Sequence, residues 1–170
     1  MLRLAIVGHR ILGDSDTVRF VADECERLLV RAQRAHLDVI ALSATAEGAD
    51  TVFAEAAVAH GIPLEIVRPF DRYSRDFPGS SRHRYRAIRA AAASETRLPY
   101  RERSEEAYLA AMLWVTNRCD MLVAAWDGRP ALGLGGTGNA VAHARRIGTP
   151  VVHLDVARRV VRQLNSRAIA

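Results

Sequence analysis

The chain has 170 residues, 49% of them hydrophobic and 25% charged, which reads as one soluble globular domain over 1–170 with a core of useful size. Its net charge is +5, and all 24 basic residues are arginine. A lysine-free, Ala- and Arg-rich chain is what a GC-rich genome produces. It also suits an anionic partner, because the guanidinium fork bonds phosphate bidentately. No apolar run is long enough to span a membrane. MLRLAIVGHR enters a strand-like run with no signal-peptide core, and Cys25 and Cys119 lack metal spacing. The expectation is a cytoplasmic protein without disulfides, metal, cofactor or membrane partner.

Leu2–Val7 is the first strand. Asp14–Ala35 has helical period, with Val18, Val21, Ala22, Cys25, Leu28, Leu29 and Ala32 on one face. Leu37–Leu42 is a second strand. A helix over Gly48–His60 follows, closed by Gly61 and Pro63, and Leu64–Val67 is a third strand. Pro69–Arg103 is irregular. It holds a loop over Asp71–Arg82 that reads as a lid or dimer contact, an Ala-rich helix and a short strand near Glu95–Leu98. A helix runs from Arg103 or Ser104 to Val115–Arg118, then a strand over Met121–Trp126, a helix over Thr137–Arg146 and a strand over Val151–Leu154. Val156–Gln163 reads as a short terminal helix. Strands alternating with amphipathic helices predict a parallel sheet covered on both faces, a three-layer α/β/α Rossmann-like fold.

In such sheets ligands bind beyond the carboxyl ends of the strands. Three strand ends carry glycine there: VGHR (Val7–Arg10), LSATAEGAD (Leu42–Asp50) and WDGRPALGLGGTG (Trp126–Gly138). A P-loop is excluded, because after Gly8 and Gly13 the motif needs Lys before its Ser or Thr, and Asp14 precedes Ser15. The dinucleotide fingerprint fails because position 10 is Arg. Neither H-E-x-x-H nor G-x-S-x-G occurs, which removes a zincin site and a nucleophile elbow.

What remains is an anion cradle. Gly135, Gly136 and Thr137 open a helix whose free N–H groups and dipole favour negative charge. Gly48 and Ser43 offer a second donor set, and Arg10 points toward the same cleft. Asp127, followed by Gly128, suits ribose hydroxyls, whereas Asp50 also fits a first-turn acid placed for the helix dipole. His9 suits an acid–base, base-stacking or structural role.

On the stretches IVGHR, ALSATAEGADTVFAEAA, IPLEIVRPFDRYSRDF, CDMLVAAWDGRPALGLGGTGNAVAHAR and GTPVVHL, the chain resembles the SLOG superfamily. That Rossmann-like group joins the DNA-processing protein DprA with the LOG nucleoside-monophosphate phosphoribohydrolases. The chain is most similar to SLOG sensor domains of bacterial conflict systems. The resemblance implies a mainly parallel sheet with a nucleotide-derivative pocket at its carboxyl edge. It assigns Gly8 and Arg10 to the first loop and Ser43, Gly48 and Asp50 to the second. Asp127, Gly135, Gly136 and Thr137 fall to the phosphate or ribose end, and a homodimer is implied. The LOG motif P-G-G-x-G-T-x-x-E departs here: its glutamate position is Ala140, preceded by Asn139, which can hold a ligand without carrying charge.

Three functions compete. The first is binding of an ADP-ribose- or NAD-like ligand, with the loop around Tyr73–Phe77 ordering on binding and signalling to an effector protein. The second is an N-glycosidase or ribosyltransferase with Asp127 and Glu47 as carboxylates. The third is nucleic-acid binding through Arg82, Arg84, Arg86 and Arg89, where a solvated helix face is the plainer account.

Overall fold

The computed structural model describes residues 1–36, 38–131 and 133–164. Its seven strands are β1 (Leu2–Gly8), β2 (Val39–Ser43), β3 (Leu64–Arg68), β4 (Ser94–Arg97), β5 (Met121–Trp126), β6 (Val151–Asp155) and β7 (Val160–Leu164). The helices are α1 (Ser15–Ala35), α2 (Ala49–Ala59), α3 (Gly79–Ala91), α4 (Glu105–Thr116) and α5 (Thr137–Arg146), with a short 3-10 helix at Tyr73–Asp76. The strands lie in one sheet in the order β4-β3-β2-β1-β5-β6-β7. All neighbours are parallel except the antiparallel pair β6–β7.

This order determines which side each helix covers. From β1 the chain steps outward through β2 and β3 to β4, then returns to the other side of β1 and steps outward again through β5 and β6. Right-handed crossovers in opposite directions place helices on opposite faces. Accordingly, Val21, Cys25 and Leu29 of α1, Phe53 and Ala57 of α2 and Ile88 of α3 pack on Leu4, Ile6 and Val123. Met112 and Val115 of α4 and Val141 and Ala144 of α5 pack on Ala5, Val7, Leu122 and Ala124. The period-2 alternation of β1 and β5 thus feeds both cores.

Local signals agree with the sequence at most helix ends. Asp14 caps α1, its Oδ1 accepting from the Thr17 N–H at 2.7 Å, and Ser104 caps α4 through Ala107. Val18, assigned to the buried face of α1, is 40% exposed, and Thr17 is buried instead. Leu37 lies outside the described residues.

Two expectations fail. The terminal helix over Val156–Gln163 is a turn followed by β7. The buried Asp155 carboxylate accepts from the backbone N–H groups of Ala157 and Arg158, and Arg159 turns the chain at φ 53°. Val160 and Val161 then pair with Asp155 and Leu154, as β-branched residues favour. Nor is Asp71–Arg82 an open lid. Tyr73 and Phe77 are 1% and 3% exposed, and with Phe70, Tyr85 and Ala107 they form a third hydrophobic cluster, flanked by Tyr100 and Tyr108. Edge-to-face contacts join Tyr73 to Phe70, Phe77 and Tyr85. The segment packs around a core of its own.

Candidate functional site

β1 and β5 pair in parallel up to Gly8↔Ala125, and the chain leaves them in opposite directions. A crevice opens where their carboxyl ends lie side by side, the position at which open α/β sheets bind ligands. A cavity of about 1140 Å³ fills it. Gly8, His9 and Arg10 contribute from the end of β1, Ala44 and Ala46 from the β2–α2 connection, Asp50 from the first turn of α2, Trp126 and Asp127 from the end of β5 and the residue after it, and Gly135 to Gly138 from the start of α5.

The glycine wall is shaped first by the chain's own backbone. Gly135 has φ +75°, and a Cβ there would lie 2.7 Å from the backbone nitrogen of Leu109 in α4. At Gly138 a Cβ would meet the backbone nitrogen of Ala131 at 2.9 Å. Close approach is what the glycines permit, and a large part of that approach is internal: the loop folds back on itself and onto α4. Asn139 belongs to the same scaffold, its side-chain amide donating to the Gly133 carbonyl at 2.8 Å. The result still presents a helix amino terminus to the cavity. Gly136 caps α5 and takes the Asn139 and Ala140 N–H groups on its carbonyl. Among the described residues, no partner takes the N–H groups of Thr137 and Gly138, the arrangement that attracts anions.

A second part of the lining, adjoining the glycine loop at Tyr108 and Leu109, is cationic and aromatic. The Arg10 guanidinium lies 4.7 Å from the Tyr108 ring centroid, and Arg103 lies 5.8 Å from it. Both arginines approach Oδ2 of Asp76, at 4.0 and 3.9 Å, which also accepts from the Tyr108 hydroxyl. Two guanidinium groups thus share one carboxylate. Arg10 is 41% exposed and Arg103 66% exposed along their side chains, so both keep donors free for an anion.

Between the walls lie carboxyl groups in contrasting surroundings. Asp127 is held below the usual carboxylate range, chiefly by the Arg129 N–H, which donates to Oδ1 at 3.0 Å, with His9 assisting. Nε2 of His9 is 3.3 Å from Asp127 Oδ1 and 3.3 Å from the Asp127 backbone nitrogen. Asp50 is pushed up to about 7 by burial, opposed by the Ala46 N–H and by Arg10.

Of the residues singled out in the sequence, Gly8, His9, Arg10, Asp50, Asp127, Gly135, Gly136 and Thr137 line this one cavity. Others stand back from it. Ser43 is fully buried, its hydroxyl accepting from the Thr45 N–H and donating to the Asp50 carbonyl. Gly48, at φ +85°, is needed because the Arg10 carbonyl sits where its Cβ would be. Gly128 takes φ +84° in the turn after Asp127. Glu47 accepts from Ser81 of α3. Three arginines of α3 are engaged: Arg82 donates to the Phe77 carbonyl, while Arg84 and Arg89 form bidentate pairs with Glu55 and Glu95.

Tyr73, named in the sequence as part of a loop that orders on binding, lines the cavity, and so do Arg103, Ser104, Glu105, Tyr108 and Met112, which sequence reasoning missed as site residues. A signal was available. A helix leading into a strand that runs parallel with the rest begins at the carboxyl edge of the sheet, so the first turns of α4 belong to the ligand side.

Among solved structures, the chain matches DprA from Streptococcus pneumoniae with TM-score 0.64 and 15% identity, over 89% of this chain and 50% of that one. It matches DprA from Helicobacter pylori, a single-stranded DNA binder, with TM-score 0.60 and 18% identity, over 89% of this chain and 64% of that one. At these identities the likeness is one of fold: the chain shares the three-layer α/β architecture of the DprA structures. TM1055, a structural-genomics target, matches with TM-score 0.58 and 14% identity, over 89% of this chain and 72% of that one. No family model and no curated protein matches the sequence. The chain spans between half and two thirds of the two DprA chains.

Proposed function

We propose that this SLOG-fold chain acts as one unit over 1–170, binding a nucleotide-derived ligand of the ADP-ribose or NAD class and holding it intact. The observation that carries this reading is that two anion-seeking groups line one cavity, the α5 amino terminus and Arg10 with Arg103 about Tyr108. Small-molecule sites run to roughly 300–1,000 Å³, so about 1140 Å³ leaves room for a ligand of dinucleotide size. Ala140 lines the same cavity and, where a carboxylate would assist glycosidic cleavage, offers a methyl group. A sensing role follows, with a homodimer and a separate effector protein in a bacterial conflict or signalling system as partners.

A second reading is nucleic-acid binding, favoured by the way charge is distributed. Residues 69–103 carry nine arginines against four acids, while the rest of the chain carries fifteen of each. The whole net charge therefore sits in the segment beside the cavity. The N-glycosidase reading keeps Asp127 as its carboxylate, and Glu47 is turned toward α3.

The test incubates the protein with ADP-ribose, NAD, nucleoside monophosphates and cyclic derivatives, reading thermal stability and the recovered small molecules together. A ligand at about a hundred times its dissociation constant stabilises by roughly 2.7 kcal/mol. Stabilisation with the ligand recovered whole is the expected result. Release of free base makes the protein a glycosidase, and no stabilisation by any compound overturns the reading.

A further inference from the structure

The cavity contains an acid that the two walls leave unneutralised. Asp50, in the first turn of α2, is 5% exposed and lines the cavity. Its Oδ2 accepts one long hydrogen bond from the Ala46 N–H, at 3.4 Å. Among the described residues no arginine or histidine forms an ion pair with it: Arg10 is stacked on Tyr108 and directed at Asp76, and His9 is directed at Asp127. From the other packed elements, Tyr73 and Cys25 face it with protons held by burial. Glu105, Tyr108 and Arg103 line the cavity on the α4 side. Arg10 is near enough to oppose the burial effect without pairing with Asp50, and a carboxyl group taken out of water with no ion-pair partner favours its neutral form.

We propose that Asp50 is a specificity-determining residue of the cavity, its neutral carboxyl donating a hydrogen bond to a phosphate or ribose oxygen of the ligand, so that binding requires one proton held at Asp50. The proposal rests on the reading of the cavity as a nucleotide-derivative site. Its sign is fixed. Below the Asp50 pKa, near 7, the free protein already holds the proton and affinity is level. Above it, an ionised carboxylate repels the anion, and each pH unit costs about tenfold in affinity.

The experiment has two arms. Carbon-13 carboxyl NMR of the ligand-free chain, with Asp50 assigned through its own Cα and Cβ, reads its titration directly. A midpoint near 7 is expected, and one below about 5 overturns the proposal whatever the ligand. ADP-ribose affinity is then measured from about pH 6 to about pH 9, a range over which its pyrophosphate diester keeps a constant charge. Wild type should lose about tenfold per unit at the alkaline end, whereas Asp50→Asn, whose amide donates but cannot ionise, should give a level profile. A slope that persists in Asp50→Asn belongs to His9 or another group and overturns the proposal, as does a level wild-type profile. Absence of ADP-ribose binding at every pH overturns both the proposal and the cavity reading, a result distinct from level binding, which overturns the proposal alone.

Discussion

The two walls of the cavity are built on opposite principles. The glycine wall, from Gly133 to Gly138, carries only Leu134 and Thr137 as side chains and obtains its shape by pressing backbone on backbone, against Leu109 and Ala131. The aromatic wall is made almost wholly of side chains: Phe70, Tyr73, Phe77, Tyr85 and Tyr108 hold the short helix, α3 and the start of α4 together. The first offers backbone N–H groups, and the second offers half-exposed guanidinium groups beside the Tyr108 ring. A ligand with negative charge at separated points meets a preformed donor set on one side and an adjustable one on the other. The comparison teaches that the glycines are primarily architectural, and that the proposed ligand would meet the chain's charged side chains on the arginine side.

Two changes would break this comparison. The larger effect falls on the aromatic wall. Tyr73 is among the largest fully buried side chains, so Tyr73→Ala should cost about 3–5 kcal/mol of stability by cavity formation. Chemical denaturation reads this; a cost below about 1 kcal/mol would mean that the segment is loosely packed after all. The smaller effect falls on the glycine wall. Gly135→Ala combines a positive φ with a Cβ 2.7 Å from the Leu109 nitrogen, and should cost roughly 1–3 kcal/mol with α4 displaced. Full stability with ligand affinity alone reduced would instead make Gly135 a ligand contact first.

Much of the architecture was legible before the structure. Period-2 and period-3.6 patterns place β1, β2, β3, β5 and β6, and α5 begins and ends at Thr137 and Arg146 as its Gly and Pro punctuation predicts. β7 was not legible, because its turn depends on the carboxylate of Asp155 reaching two backbone N–H groups, a contact with no periodicity. The aromatic wall was misread for a related reason. Phe70, Tyr73 and Phe77 lie among Asp, Arg, Ser and Pro, and only tertiary packing reveals that the rings share one core. At the site, Gly8, Arg10, Asp50 and Asp127 were found because strand ends of a parallel sheet converge. The glycines told that something comes close to the backbone, but glycine has no side chain to say whether that is a phosphate or the neighbouring helix.

The most direct test of the central claim is a nitrogen-15 NMR footprint of ADP-ribose on the full chain. The account predicts that the largest shifts fall at Thr137 and Gly138 on one wall and at Arg10 and Tyr108 on the other, with Arg84 and Arg89 of α3 unmoved. Shifts confined to α3 and the rest of 69–103, with the start of α5 silent, would contradict it and assign recognition to the basic surface instead of the cavity.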